Sequence, residues 1–166
     1  SPIQCTGLVT SGIHDIIDIP KKIIVNKIHN VNIIYNKKIK VKFHKPNLLL
    51  NRKAFDQYMS SRAKKAGVKF LMGHKFTGIS EEEQKSCEFR AKKQVYYFAD
   101  AVIGADGTSS MVRKKEGMGR LKCWTGIQVV VKKKNDGEIL FFPDHNYFSW
   151  IVPENKSTVR VGVAAR

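Results

Sequence analysis

Residues 100–113 read Asp-Ala-Val-Ile-Gly-Ala-Asp-Gly-Thr-Ser-Ser-Met-Val-Arg, the densest run of chemistry-bearing residues in the chain. A charged start leads into a short apolar run that stops at Gly104. Small residues at the end of such a buried strand let a ligand approach the backbone closely. Asp106 and Gly107 supply a turn, and Ser109 or Ser110 can cap a short helix running to Glu116. A strand end followed by a helix N-terminus suits an anion or a nucleotide. Arg113 is placed to reach back as a donor or to hold Asp106. The same residues also describe a plain strand–turn–helix connection with an ordinary capping aspartate, and the segment alone does not choose between the two.

Three further segments carry candidate chemistry. In Leu48-Leu-Leu-Asn-Arg-Lys-Ala-Phe-Asp, Arg52 falls in the first turn of a helix. A cation there opposes the helix dipole, so a bound anion would account for it better than plain exposure. In Pro2-Ile-Gln-Cys-Thr-Gly-Leu, Cys5 by itself reads as a small buried hydrophobe. In Phe148-Ser-Trp-Ile-Val-Pro, period-two spacing puts Phe148, Trp150 and Val152 on one face of a strand. Set against a strand bearing Gly162 and Ala164, that face leaves a groove for a long hydrocarbon; otherwise these are core aromatics of a sheet. Asp144 and His145 precede this strand and read as a solvated turn, so no side chain is assigned to proton transfer.

The elements that must position these residues follow from pattern. Ser11–Ile19 suggests a short helix stopped by Pro20. Val31–Tyr35 and Ile39–Phe43 form a hairpin around Asn36-Lys37-Lys38, and Leu48–Leu50 is a short buried strand. Asn51 caps a helix whose apolar face is Phe55, Tyr58, Met59, Ala63 and Ala66, with Gly67 at its left-handed end. Val68–Met72 follows as a strand, completing an α/β crossover unit. Phe76–Ile79 is a strand, Ser80–Lys85 a surface turn, and Cys87–Ala91 pairs with Gln94–Phe98 around Lys92-Lys93. The last forty residues hold four strands, Thr125–Val131, Glu138–Phe142, Tyr147–Val152 and Thr158–Ala164. Turns at Asn135-Asp136-Gly137, Pro143-Asp144 and Pro153-Glu154-Asn155 separate them.

Composition bounds what this arrangement can be. With 166 residues, 42% of them hydrophobic, the chain builds a real core and is not disordered. No apolar run approaches the ~20 residues of a spanning helix. The opening residues carry no initiator Met, basic n-region or apolar h-region, so they do not read as a signal peptide; they read like a chain entered in its middle. The three cysteines have wide spacings and no Cys-x-x-Cys, so neither a disulfide framework nor a metal site is expected, and a cytoplasmic setting is the default. Lys plus Arg is 30 against 14 for Asp plus Glu, a net charge of +16. That charge suits polyanions such as nucleic acid, anionic lipid headgroups or phosphorylated substrates. The Lys clusters are scattered over turns and helix faces with no nucleic-acid motif around them, which favours a solvated surface.

Taken in register, residues 100–113 resemble the Asp-Gly fingerprint of flavoprotein hydroxylases and their relatives. Arg52-Lys-Ala-Phe-Asp is similar to the Arg-x-x-Phe-Asp of the same superfamily, and Pro2-Ile-Gln-Cys-Thr-Gly to the Pro-x-x-Cys-x-Gly of geranylgeranyl reductases. Phe148 to Pro153 with Gly162 and Ala164 resembles those reductases' aromatic-x-Trp-x-Phe-Pro…Gly-x-Gly pattern, with Phe148 for Tyr, Val152 for Phe and Ala164 for the second Gly. The resemblance covers Pro2 to about Ala165. It implies an α/β (α+β) fold: part of a Rossmann-like FAD-binding portion of the p-hydroxybenzoate hydroxylase-like flavoprotein fold over residues 1–122, and an antiparallel substrate sheet over 123–166. It implies FAD as cofactor, held by Cys5, Thr6, Leu8, Arg52, Phe76, Asp106, Gly107 and Arg113. It implies an isoprenoid cavity lined by Phe148, Trp150, Pro153 and Gly162. The family's Gly-x-Gly-x-x-Gly unit and its later Gly-Asp segment do not occur among the 166 residues, which would leave part of an FAD site and a piece inactive alone.

The activity implied is reduction of isolated C=C bonds in geranylgeranyl chains of archaeal-type membrane lipids. Its partners would be the isoprenoid lipid, an electron donor of the NAD(P)H or ferredoxin class, and a membrane met peripherally; no nucleic acid and no metal is expected. Two rivals stand beside it: an aromatic-ring hydroxylase or halogenase on the same fold, and a non-catalytic basic module for nucleic acid or anionic membrane.

Overall fold

The computed structural model describes residues 5–80, 86–90 and 94–166. They form ten strands: β1 (Leu8–Val9), β2 (Ile24–Ile34), β3 (Lys38–Leu50), β4 (Lys75–Ser80), β5 (Ser86–Arg90), β6 (Gln94–Phe98), β7 (Thr125–Lys132), β8 (Ile139–Pro143), β9 (Tyr147–Asn155) and β10 (Thr158–Ala165). Two α-helices join them, α1 (Arg52–Lys65) and α2 (Met111–Lys115). The chain is therefore mostly β, where an α/β balance is expected from sequence. It divides into two compact units, one of residues up to Ala66 with Trp124–Arg166, the other Gly67–Cys123.

The first unit is built on a seven-stranded sheet of order β1-β3-β2-β8-β9-β10-β7. The hairpin around Asn36-Lys37 is present, but its arms are longer than the β-branched runs that announce it, and Leu48–Leu50 is the end of β3 rather than a separate strand. Both faces of that end are buried, which explains three consecutive leucines without alternation. Leu48 and Leu50 pack with Ile17, Ile19 and Ile23; Leu49 packs with Ile28, Ile139 and Val152. β2 and β8 run parallel, the only parallel pair among the described residues. Glu138 secures this seam, accepting from Asn32 Nδ2 at 2.7 Å and Asn30 Nδ2 at 3.2 Å and pairing with Lys40. The strands after residue 123 thus share one sheet with the N-terminal hairpin instead of forming a portion of their own.

α1 starts where sequence places it: Asn51 accepts from the backbone of Ala54 at 3.1 Å, and Gly67 follows with φ +89°. Its packed face is narrower than the periodic pattern suggests. Ala54, Phe55 and Tyr58 meet the Ile17–Leu50 cluster, while Met59 is exposed. Ser11–Asp15 is a five-residue 3-10 helix, which ends short of the Ile19 expected for the helix from sequence.

The second unit holds the antiparallel β4-β5-β6 meander and α2. The expected pairing across Lys92-Lys93 is present in β5 and β6; those two residues and most of the Ser80–Lys85 turn lie outside the described residues. Val68–Met72 and Ala101–Ile103, both expected as strands, are not strands. A strand is a paired object, held by ladder hydrogen bonds to a neighbour, and apolar composition does not create it. Met72 and Ile103 are exposed accordingly, at 82% and 90%. The crossover unit read from the sequence is therefore not formed. No helix among the described residues is long and apolar enough to cross a membrane.

Candidate functional site

In the first unit the Cys5–Gly7 loop is tied down on every side. The Gly7 carbonyl accepts from the Leu50 backbone at 2.9 Å, and Gly7 sits at φ +80°. A Cβ there would lie 2.5 Å from the Leu50 oxygen, so only glycine lets the loop pass. Cys5 Sγ accepts from Arg52 Nη1 at 3.1 Å, and Arg52 Nη2 pairs with Asp56 at 3.0 Å. The cation in the first turn of α1 is thus met by a sulfur and a carboxylate, and its pKa is raised, chiefly by the Asp56 hydrogen bond. Arg52 Nε stays buried without a partner. Thr6 donates to Gln128 Oε1 at 2.6 Å, while its carbonyl accepts from Arg160, which is itself ion-paired to Glu154. Leu8 lies in β1 beside Leu49, one-third exposed.

Beside this loop the sheet presents an aromatic wall. Phe148 sits 5.6 Å from both Phe141 and Trp150 and 5.5 Å from Trp124, centroid to centroid. The shared face read from period-two spacing is real: Phe148 and Trp150 are half-buried, and Val152 on the same side enters the core. The expected groove over Gly162 is corrected. Gly162 pairs in register with Trp150, and the indole lies flat across it, so a Cβ at Gly162 would stand 2.2 Å from Trp150 Cζ2. The glycine makes room for the protein's own indole, and any ligand would meet the outer faces of the rings. Pro153 is fully buried, its carbonyl accepting from Asn26 Nδ2 at 2.9 Å. Asp144 and His145 form an exposed turn closed by the Asp144 amide on the Tyr147 carbonyl.

In the second unit Asp106 and Ser110 cap α2 together. Asp106 accepts from Ser110 Oγ at 2.5 Å and from the backbone of Met111 and Val112 at 2.6 and 3.3 Å. Ser110 Oγ in turn accepts from the Arg113 backbone at 3.0 Å. The capping reading of this turn is therefore present, and the free N–H groups an anion would use are already taken by the protein's own carboxylate. Arg113 does not hold Asp106; it donates to the carbonyls of Thr108, at 3.1 Å, and Gly119. Its Nε is buried without a partner. Gly107 makes the turn at φ +80°, and a Cβ at Gly104 would stand 2.9 Å from Val112 Cβ. An open crevice of about 760 Å³ runs alongside, lined by Asp100, Gly104, Gly107, Ser110 and Arg113 among others. Phe76 lies in β4 of this unit.

The hydrogen bond from Ser110 and those from the Val112 and Met111 backbone hold the Asp106 carboxyl below its ordinary range. The turn's extra stability is then complete above the unfolded value of about 3.9 and is lost as pH falls through the lower folded value. A carboxyl NMR titration is expected to show the Asp106 midpoint rising toward the ordinary value in Ser110→Ala. An unchanged midpoint would contradict this account of the cap.

Sequence reasoning missed Gln128, Arg160 and Glu154. A charged Arg160 two residues before Gly162 on the same strand face was the available signal, since a charge on a packed face needs a partner.

A family model for the FAD binding domain matches residues 13–163. The chain belongs to the FAD-binding domain family. No protein of curated function matches the chain by sequence. Solved structures show the fold it shares. A geranylgeranyl bacteriochlorophyll reductase-like protein from Thermoplasma acidophilum superposes with TM-score 0.88 at 20% identity over 99% of this chain. The flavin-dependent halogenase CmlS does so at 0.67 with 16% identity over 84%, and halogenase PltM, solved with phloroglucinol and FAD, at 0.65 with 13% over 84%. The chain spans 47%, 29% and 35% of those three proteins. Each unit thus holds one buried guanidinium Nε without a partner, that of Arg52 in the first and that of Arg113 in the second.

Proposed function

We propose that the protein carrying this chain is an FAD-dependent reductase that saturates C=C bonds of geranylgeranyl chains on membrane lipids. The observation that carries the proposal is the wall of Trp124, Phe141, Phe148 and Trp150, four neighbouring rings on the sheet beside Thr6. Such a surface recognises a hydrocarbon by apolar contact and offers it few polar partners. FAD, when bound and reduced by an NAD(P)H or ferredoxin donor, would supply a hydride to one alkene carbon, while a proton would arrive at the other. The chain's own part is to hold the alkene against the rings, to keep water from it, and to present Arg52 and Thr6 to the cofactor. The net charge of +16 suits the anionic headgroups that surround such a lipid.

The halogenases on the same fold favour a second reading, an enzyme acting on a compact aromatic ring. Tryptophan fluorescence separates the two. Geranylgeraniol in detergent is expected to change Trp124 and Trp150 emission saturably, while phloroglucinol does not; the reverse result would favour the halogenase reading. FAD titrated into the chain alone, followed by flavin fluorescence, is expected to show no site tighter than about 1 µM, roughly −8 kcal/mol. One buried, unpartnered guanidinium donor per unit among the described residues is too little for more, and a nanomolar site would overturn this assignment of contacts.

A further inference from the structure

Gln128, Gly162 and Trp150 stand in one row across three strands, Gln128 facing Gly162 on one side and Trp150 facing it on the other. Because Gly162 has no side chain, the indole of Trp150 spans the middle strand and reaches the outer one. Trp150 Nε1 donates to Gln128 Oε1 at 3.1 Å, and Thr6 Oγ1 donates to the same oxygen at 2.6 Å. The indole N–H is a donor only, so the amide atom facing it must be the oxygen, and the two donors fill both of its lone pairs. We propose that Gln128 is a positioning residue, which sets the ring of Trp150 and the Cys5–Gly7 loop through this one shared acceptor.

The two partners it joins belong to different tasks under the reading given above, on which the functional side of this proposal rests. Thr6 lies in the loop expected to touch the flavin, and Trp150 in the wall expected to hold the hydrocarbon. Arg160 and Leu50 hold the loop by its backbone, while among the described residues Gln128 joins the Thr6 side chain and the indole through one oxygen. A hydrocarbon that turns the indole would loosen Gln128 and be felt at Thr6. Leucine at 128 would keep the volume and lose the acceptor; glutamate would keep an acceptor oxygen.

The test reads the indole N–H of Trp150 by NMR in the unliganded chain, assigned against Trp124 with Trp124→Phe. Gln128→Leu is expected to make that proton exchange with solvent about five-fold faster, the size of one net hydrogen bond. Thr6→Val, which removes the second donor to the Gln128 oxygen, is expected to shift the same resonance, and Gln128→Glu to keep the proton protected. A Trp150 signal unmoved in Thr6→Val, or exchange unchanged in a folded Gln128→Leu, would overturn the proposal. Should Gln128→Leu fail to fold, Thr6→Val and Gln128→Glu decide alone, and a proton left unprotected in Gln128→Glu counts against it. No flavin or lipid enters this measurement. Failure of the reductase reading would show instead in the geranylgeraniol titration.

Discussion

Gly162→Ala is expected to lower the melting temperature of the chain by roughly 6–12 °C, for a cost of about 3 kcal/mol. The added methyl would stand 2.2 Å from Cζ2, 2.4 Å from Cε2 and 2.8 Å from Nε1 of Trp150. Neither side can yield easily. β10 is held by ladders to β9 and β7, and the indole is pinned by its bond to Gln128 and by Phe148. The cost should therefore depend on the ring. In a Trp150→Ala background the alanine at 162 meets no indole, and the double variant is expected to be no less stable than Trp150→Ala alone. Additive losses in this cycle would show that the ring does not rest on Gly162 in solution.

Arg160→Met is expected to cost about 3 kcal/mol, because it breaks a largely buried ion pair from one side only. Arg160 Nη2 lies 2.5 Å from Glu154 Oε1, with the two side chains only 12% and 20% exposed. Removing the guanidinium leaves the Glu154 carboxylate desolvated and alone, and takes a donor from the Thr6 carbonyl. Pairing the change with Glu154→Gln is expected to recover much of the loss, since a neutral amide tolerates the site better than an orphaned charge. Thermal melts of the two single variants and the double variant measure this. A double variant less stable than Arg160→Met would show that Glu154 has another role.

Much of the local structure was legible because it rests on local physics. Asn51 and Gly67 bracket α1 as a cap and a left-handed exit should. Asp106, Gly107 and Ser110 make the turn before α2 from side-chain acceptors and one positive φ. The C-terminal strands follow alternation and turn chemistry, and Phe148 shares a face with Trp150 and Val152 because side chains alternate along a strand. The resemblance of these segments to flavoproteins was legible for the same reason, and the family match over residues 13–163 agrees with it.

The amino-acid sequence by itself determined the turns, the caps, the strand faces and the membership in the FAD-binding domain family. Only the tertiary structure decided which strands exist and what each face meets. Val68–Met72 and Ala101–Ile103 carry strand-like composition yet form no strand, because a ladder needs a neighbour and the pattern of one segment cannot say whether a neighbour comes. The parallel seam of β2 and β8 joins residues more than a hundred positions apart, and it carries the last four strands into the N-terminal sheet. The row of Gln128, Gly162 and Trp150 depends on two strand registers at once. A shift of one residue in either would turn Gln128 or Trp150 to the opposite face and open the glycine to a groove. Register is set by the sum of contacts along whole strands, so the same glycine that reads as a cavity in one dimension is, in three, the seat of the protein's own indole.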